Sequence, residues 1–122
     1  MSKKILIIED DSFLQGLAST KLEKEGFTVI SAANSDEALK LATTDAPDLI
    51  LSDLVMPGTD GFGILKAVRE NPATQATPVI VFSNLSEDKD IKRAKELGAT
   101  DYMVKSNFTL DELADKIKEL LK

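Results

Sequence analysis

Short apolar runs alternate with amphipathic stretches five times along this chain, and that alternation restricts the fold more than any other feature. The runs at 5–8, 49–51 and 79–82 are continuously apolar, as expected for strands covered on both faces. Strands of that kind, each followed by a helical stretch, build a parallel sheet with right-handed crossovers. The segment Phe27–Ala33 is more polar and is expected at an edge of the sheet. Residues 101–104 form the last strand and are likewise less apolar.

The stretches between the strands carry helix signals. The first is expected from Ser12 to Glu25, with Phe13, Leu14, Leu17, Ala18 and Leu22 on its apolar face and Gly26 as a left-handed stop. Ser35 is expected to cap the second, with Asp36 and Glu37 favourable to the helix dipole and Ala46-Pro47 ending it. The third is expected from about Thr59 to Glu70, before Asn71-Pro72, and the fourth from Ser86 to Leu97-Gly98. In the fifth, Thr109 and Glu112 spell a capping box, and Phe108 and Leu113 a hydrophobic staple. Leu110, Leu113, Ile117, Leu120 and Leu121 form its buried stripe. Five such units with a polar site off the first and third strands match the flavodoxin-like, doubly wound (βα)5 order 2-1-3-4-5, in which strands 1 and 3 are adjacent and a crevice opens at the switch point.

Composition removes several functions. The chain has no cysteine and therefore no disulfide or thiolate metal site, which fits a reducing compartment. It has no histidine, so the commonest general base, the commonest zinc ligand and any Ser-His pair are excluded. The net charge of −6 argues against direct nucleic-acid binding. No apolar run approaches the roughly 20 residues of a membrane span, and the apolar run after Met1-Ser2-Lys3-Lys4 is too short for a signal-peptide core. The 122 residues suit one domain, expected to bury roughly two thirds of its unfolded surface.

The chemistry-bearing residues stand just after the apolar runs. Glu9 and Asp10 follow the first, Asp53 the third, Ser83 the fourth and Lys105 the fifth. In a parallel sheet these positions share the carboxyl edge, where open α/β sheets bind ligands. Crowded carboxylates repel unless a divalent cation neutralises them, and Mg2+ takes one or two carboxylates, waters and a phosphoryl oxygen. Asp53 stands alone after a central strand and is the best nucleophile for an acyl phosphate. Asp11 is expected simply to cap the first helix. Lys105 would pair with Asp53 and then with a phosphoryl group, to which Ser83 would donate its hydroxyl. The loop Met56-Pro57-Gly58-Thr59-Asp60-Gly61 after Asp53 is expected to offer backbone amides to phosphoryl oxygens, and the Val55 carbonyl is the expected metal ligand.

Taken together, Ile7-Ile8-Glu9-Asp10-Asp11, Asp53-Leu54-Val55-Met56-Pro57-Gly58-Thr59-Asp60-Gly61, Ser83, and Gly98-Ala99-Thr100-Asp101-Tyr102 with Lys105 resemble the receiver domain of bacterial two-component response regulators. The resemblance covers the whole chain, read as one receiver domain over 1–122 without an effector domain. It implies Mg2+ at Glu9, Asp10, Asp53 and the Val55 carbonyl, with Asp53 as phosphoacceptor, Lys105 on the phosphoryl group, and Ser83 and Tyr102 as the switch. It implies a cytoplasmic signalling protein that catalyses only its own phosphorylation and dephosphorylation. Its partners would be a sensor histidine kinase or phosphotransfer protein and a downstream target on the α4-β5-α5 face, with neither nucleic acid nor membrane. The alternative is a receiver-fold interaction module that is never phosphorylated.

Two residues depart from the family. Ser106 follows Lys105 where the family has a proline in a cis peptide. A cis bond before a non-proline residue costs about 2.5–4 kcal/mol, so another path is expected for that loop. Asn84 replaces the small residue after Ser83 and is expected to narrow the space into which its loop moves.

Overall fold

The structure, a computed structural model, describes residues 2–56 and 58–122, without the side chain of Thr59. Pro57, part of the loop motif after Asp53, lies outside the described residues. The elements are β1 (Lys4–Ile8), α1 (Ser12–Lys24), β2 (Thr28–Ala32), α2 (Ser35–Thr44), β3 (Leu49–Ser52), α3 (Gly61–Glu70), β4 (Val79–Ser83), α4 (Asp88–Glu96), β5 (Asp101–Val104) and α5 (Leu110–Leu120). Val55–Met56 and Thr59–Asp60 add a short antiparallel ladder, and Lys105–Asn107 a 3-10 turn.

The sheet runs β2-β1-β3-β4-β5, parallel throughout. This is the expected flavodoxin-like order, with the more polar β2 at one edge and β5 at the other. The three continuously apolar runs occupy the centre because helices cover them on both faces. Side chains alternate across the sheet. Leu6, Ile8, Ile50, Val79 and Val81 pack with Ala38, Ala42, Leu65, Val68 and Ala94 of α2, α3 and α4. Ile5, Ile7, Leu49, Leu51 and Ile80 pack with Ala18 and Leu22 of α1 and with Leu113, Ala114 and Ile117 of α5. Pairing of Ile8 with Ser52, Ser52 with Val81, and Ser83 with Val104 holds the strand ends level.

Several element ends differ from expectation. Asn34, rather than Ser35, caps α2: its side-chain Oδ1 accepts the Glu37 amide at 2.9 Å, while the Glu37 carboxylate accepts the Ala33 amide at 3.0 Å. α3 begins at Gly61 because Thr59 and Asp60 join the antiparallel ladder, and Asp60 becomes the cap. α4 begins at Asp88 and buries only Ala94 among its side chains. The largest correction concerns α1. Ala18 and Leu22 are buried, but Phe13, Leu14 and Leu17 are exposed. Only the second half of α1 packs on the sheet, while Leu14 flanks the crevice at the sheet edge. The capping box of α5 forms as expected, with both reciprocal hydrogen bonds.

Candidate functional site

Four strands, β1, β3, β4 and β5, end by handing polar side chains to the carboxyl edge. Lys105 opens the 3-10 turn after β5 and reaches back across the sheet. Its Nζ donates to Glu9 Oε1 at 2.5 Å and to Asp53 Oδ2 at 2.7 Å. All three side chains are well buried, at 13% exposure for Lys105, 9% for Glu9 and 7% for Asp53. No peptide bond among the described residues is cis. The chain with Ser106 after Lys105 thus follows a trans path, and the lysine still meets both carboxylates.

The remaining carboxylate oxygens are also engaged. Asp53 Oδ1 accepts the Val55 amide at 3.1 Å, and Glu9 Oε2 accepts the Asp11 amide at 3.4 Å. Gln15 Nε2 donates to the Glu9 carbonyl at 3.0 Å. Asp11 Oδ1 caps α1, accepting the Phe13 and Leu14 amides at 3.0 and 3.2 Å. That leaves Asp10 exposed, lining the same crevice as Glu9, Asp53 and Val55.

Electrostatics follow from burial and pairing. Burial pushes the Glu9 carboxyl above its ordinary value, and the neighbouring Asp53 adds to this against the pull of Lys105. Burial also presses the Lys105 ammonium downward, but the hydrogen bonds and charges of Asp53 and Glu9 together outweigh it and raise its pKa. The lysine is therefore held as a cation between the carboxylates.

Ser83 and Tyr102 do not touch the carboxylates. They meet each other's loop instead. The Leu85 amide donates to Ser83 Oγ at 3.3 Å, and the Tyr102 hydroxyl donates to the Leu85 carbonyl at 2.6 Å. Ser83 is fully buried, and its hydroxyl proton is not consumed by the Leu85 bond.

Two cavities meet at Lys105. A crevice of about 420 Å3 is lined by Glu9, Asp10, Asp53, Val55, Leu85 and Lys105. An apolar groove of about 330 Å3 runs between α1 and the start of α5, over Ile7, Leu51 and Phe82 and flanked by Leu14, Leu17 and Phe108. Asn84 borders both. The groove was not legible in the sequence, because Leu14 and Leu17 fit a core stripe equally well. The loop after Asp53 is held close by Gly61, where a Cβ would lie 2.4 Å from Leu54 Cα and 2.8 Å from the Asp53 carbonyl oxygen.

The donors at the edge are oxygens alone, which suits a hard cation such as Mg2+ rather than a softer metal. Glu9 and Asp53 already share one cation, the Lys105 ammonium. No group of three acidic side chains converges on a metal-sized position among the described residues.

The response regulator receiver domain family matches residues 5–118 of the chain. The chain is 37% identical over 121 residues to sporulation initiation phosphotransferase F of Bacillus subtilis, covering 99% of this chain and 95% of that protein. It is 36% identical over 122 residues to the alkaline phosphatase synthesis transcriptional regulatory protein PhoP of the same organism, covering all of this chain and 50% of that one. The chain spans about half the length of PhoP and of several other curated relatives it matches. Among solved structures, chemotaxis protein CheY4 of Vibrio cholerae superposes with a TM-score of 0.91 at 29% identity, covering 98% of each chain.

Proposed function

The chain belongs to the response regulator receiver family of two-component phosphoacceptor signalling, and we propose that Asp53 is its phosphoacceptor. The observation that carries this is the placement of the Asp53 carboxylate: buried, lysine-paired, and facing a crevice at the switch point of the sheet. A carboxylate oxygen of Asp53 attacks the phosphorus of a phosphohistidine on a sensor kinase or phosphotransfer protein. The P–N bond breaks, and the electron pair leaves with the imidazole, which picks up a proton. The product is an acyl phosphate on Asp53. A bound Mg2+ supplies charge neutralisation for the phosphoryl oxygens, and Glu9, Asp10, Asp53 and the Val55 carbonyl are the residues that would hold it.

Lys105 follows the negative charge from Asp53 onto the phosphoryl group. Ser83 donates its hydroxyl to another phosphoryl oxygen while continuing to accept the Leu85 amide. Movement of that loop reaches Tyr102 through the Leu85 carbonyl, and so alters the face formed by α4, β5 and α5 for a downstream protein. The shift is a change of population, so its size follows the partner's preference between the two states.

The apolar groove supports a protein donor. Leu14, Leu17 and Phe108 stay exposed beside Asp53, where a protein donor would cover them and a small phosphodonor would not. No helix is long and apolar enough to cross a membrane among the described residues, and the protein is proposed to act in the cytoplasm.

Incubation with Mg2+ and acetyl phosphate, read by intact mass, tests the assignment. One phosphoryl group on the native protein and none on Asp53→Asn is the expected result. An equal gain on the variant removes Asp53 from the role. No gain on either protein favours an interaction module that is never phosphorylated.

A further inference from the structure

The two ends of α4 are fastened differently. Past its C-terminus Gly98, at φ 106°, closes the helix: the Gly98 amide donates to the Lys95 carbonyl and the Ala99 amide to the Ala94 carbonyl, each at 3.0 Å. Arg69 of α3 donates from Nε to the Gly98 carbonyl at 3.0 Å and from Nη1 to the Thr77 carbonyl at 2.7 Å. A Cβ on Gly98 would lie 2.8 Å from Arg69 Cγ, so the arginine stem fills the space beside that turn. The Thr100 amide then ties the chain to β4 through the Val79 carbonyl at 2.8 Å. The N-terminal end has no such fastening. Glu87 stands at the cap position without a side-chain cap hydrogen bond, and residues 84–87 lead straight back to Ser83.

Near the middle of α4 the Arg93 guanidinium lies over the Phe62 ring, 4.1 Å from its centroid. A cation so placed is attracted by the ring quadrupole. Phe62 is buried in the first turn of α3. Its neighbour Gly61 is pressed against Leu54 and the Asp53 carbonyl, which fixes the ring relative to Asp53. Ala94 is the one buried residue of α4, so the Arg93 contact is a substantial part of the hold on this helix.

We propose that Arg93 is a positioning residue whose contact with Phe62 latches α4 in its resting position and so opposes phosphorylation of Asp53. The inference rests on the reading of Asp53 as phosphoacceptor and of Ser83 as a donor to the phosphoryl group. As Ser83 moves toward the phosphoryl oxygens, residues 84–87 pull on the free end of α4. The end at Gly98 is held, so the helix swings about it and carries Arg93 across Phe62. The latch therefore belongs to the unphosphorylated state. Coupling between two sites is reciprocal at equilibrium. A contact that phosphorylation must loosen makes the phosphorylated state easier to reach once it has been removed.

The test titrates beryllofluoride, with saturating Mg2+, into the native protein, Arg93→Gln, Phe62→Leu and the double variant, followed by fluorine NMR. Beryllofluoride takes the phosphoryl position on an aspartate and gives an equilibrium readout. Each single variant should bind about two- to fivefold more tightly, the range an exposed cation–π contact supplies. The double variant should gain nothing further, because both changes remove the same contact. A contact that only supports the fold would leave affinity unchanged or weaken it, and either result in Arg93→Gln overturns the proposal. Gains that add in the double variant overturn it too. Glutamine is a good helix former, whereas Phe62→Leu alters a buried side chain. Should Phe62→Leu fail to fold, hydrogen exchange in Arg93→Gln takes its place. Faster exchange of α4 amides with β1 and β3 unchanged supports the latch, and unchanged α4 exchange overturns it. Equal uptake by all four proteins removes the latch alone. No uptake by any of them removes the Asp53 reading, and this inference with it.

Discussion

The Tyr102 hydroxyl donates to the carbonyl of Leu85, whose own amide donates to Ser83 Oγ. One residue thus joins the end of β4 to the edge strand β5, and both of its backbone groups are spoken for. Burial of Tyr102, with a smaller contribution from the Asp90 and Asp53 charges, raises its pKa above the ordinary 10.0, against a lowering influence of Ser83. The phenol is therefore harder to ionise in the folded protein than in the unfolded chain.

The consequence is measurable because Tyr102 is the only tyrosine and the chain has no tryptophan. The phenolate absorbance should have its midpoint above pH 10.0 in the native protein and near it in denaturant. The folded state holds its proton where the unfolded state has released it, so this contribution to stability is complete below the unfolded pKa. It is lost as pH rises through the folded one. Tyr102→Phe should remove that part of the alkaline stability loss. A native midpoint at or below the denatured one would contradict the buried, donating phenol.

Val55 and Leu85 border the crevice around Asp53, and both are apolar. Neither can orient a water for attack on an acyl phosphate, so phospho-Asp53 should decay slowly, over minutes or longer. Val55→Asn, at a position 54% exposed, should accelerate hydrolysis by about tenfold or more by supplying an orienting amide. Decay of the native phosphoprotein within seconds, followed by mass or radiolabel, would count against this account.

Gly61 is needed for space. A Cβ there would meet the backbone of Leu54 and the carbonyl of Asp53, so Gly61→Ala must push the loop away from Asp53. Overpacking of this kind costs about 1–3 kcal/mol. Urea unfolding should show that loss, together with slower labelling by acetyl phosphate. Unchanged stability and labelling would mean that the loop absorbs the methyl group freely.

Ala46 presents the opposite case. It is the one non-glycine residue with positive φ among those described, at 45°, where a Cβ is strained. Ala46→Gly should stabilise the protein by about 1 kcal/mol without affecting phosphorylation. Thermal unfolding would register it, and a destabilised variant would show that the entropy of the unfolded glycine outweighs the strain.

The fold was legible because the central strands are buried on both faces and therefore continuously apolar, as in Ile5–Ile8 and Val79–Val81. Sheet order followed from the positions of Glu9 and Asp53 after two such strands. The meeting of Lys105 with both carboxylates extends what the strand ends suggested, since only Asp53 was expected as its partner. Helix starts were less legible. Asn34 and Ser35 are both good caps, and only the backbone decides between them. The exposed half of α1 could not be foreseen, because apolar residues spaced for a core look the same when they border a groove. The Leu85 link was invisible for a different reason: it is made by backbone atoms, which every residue carries.

The sparse burial of α4, with Ala94 alone fully inside, sets that helix apart from its neighbours. Little apolar surface is lost when it detaches, so its local opening free energy should lie well below that of the central strands. Its amides should exchange with deuterium early and independently of global unfolding. A receiver assembled this way keeps its chemistry on a rigid floor and leaves its softest segment on the face proposed above to meet a downstream protein.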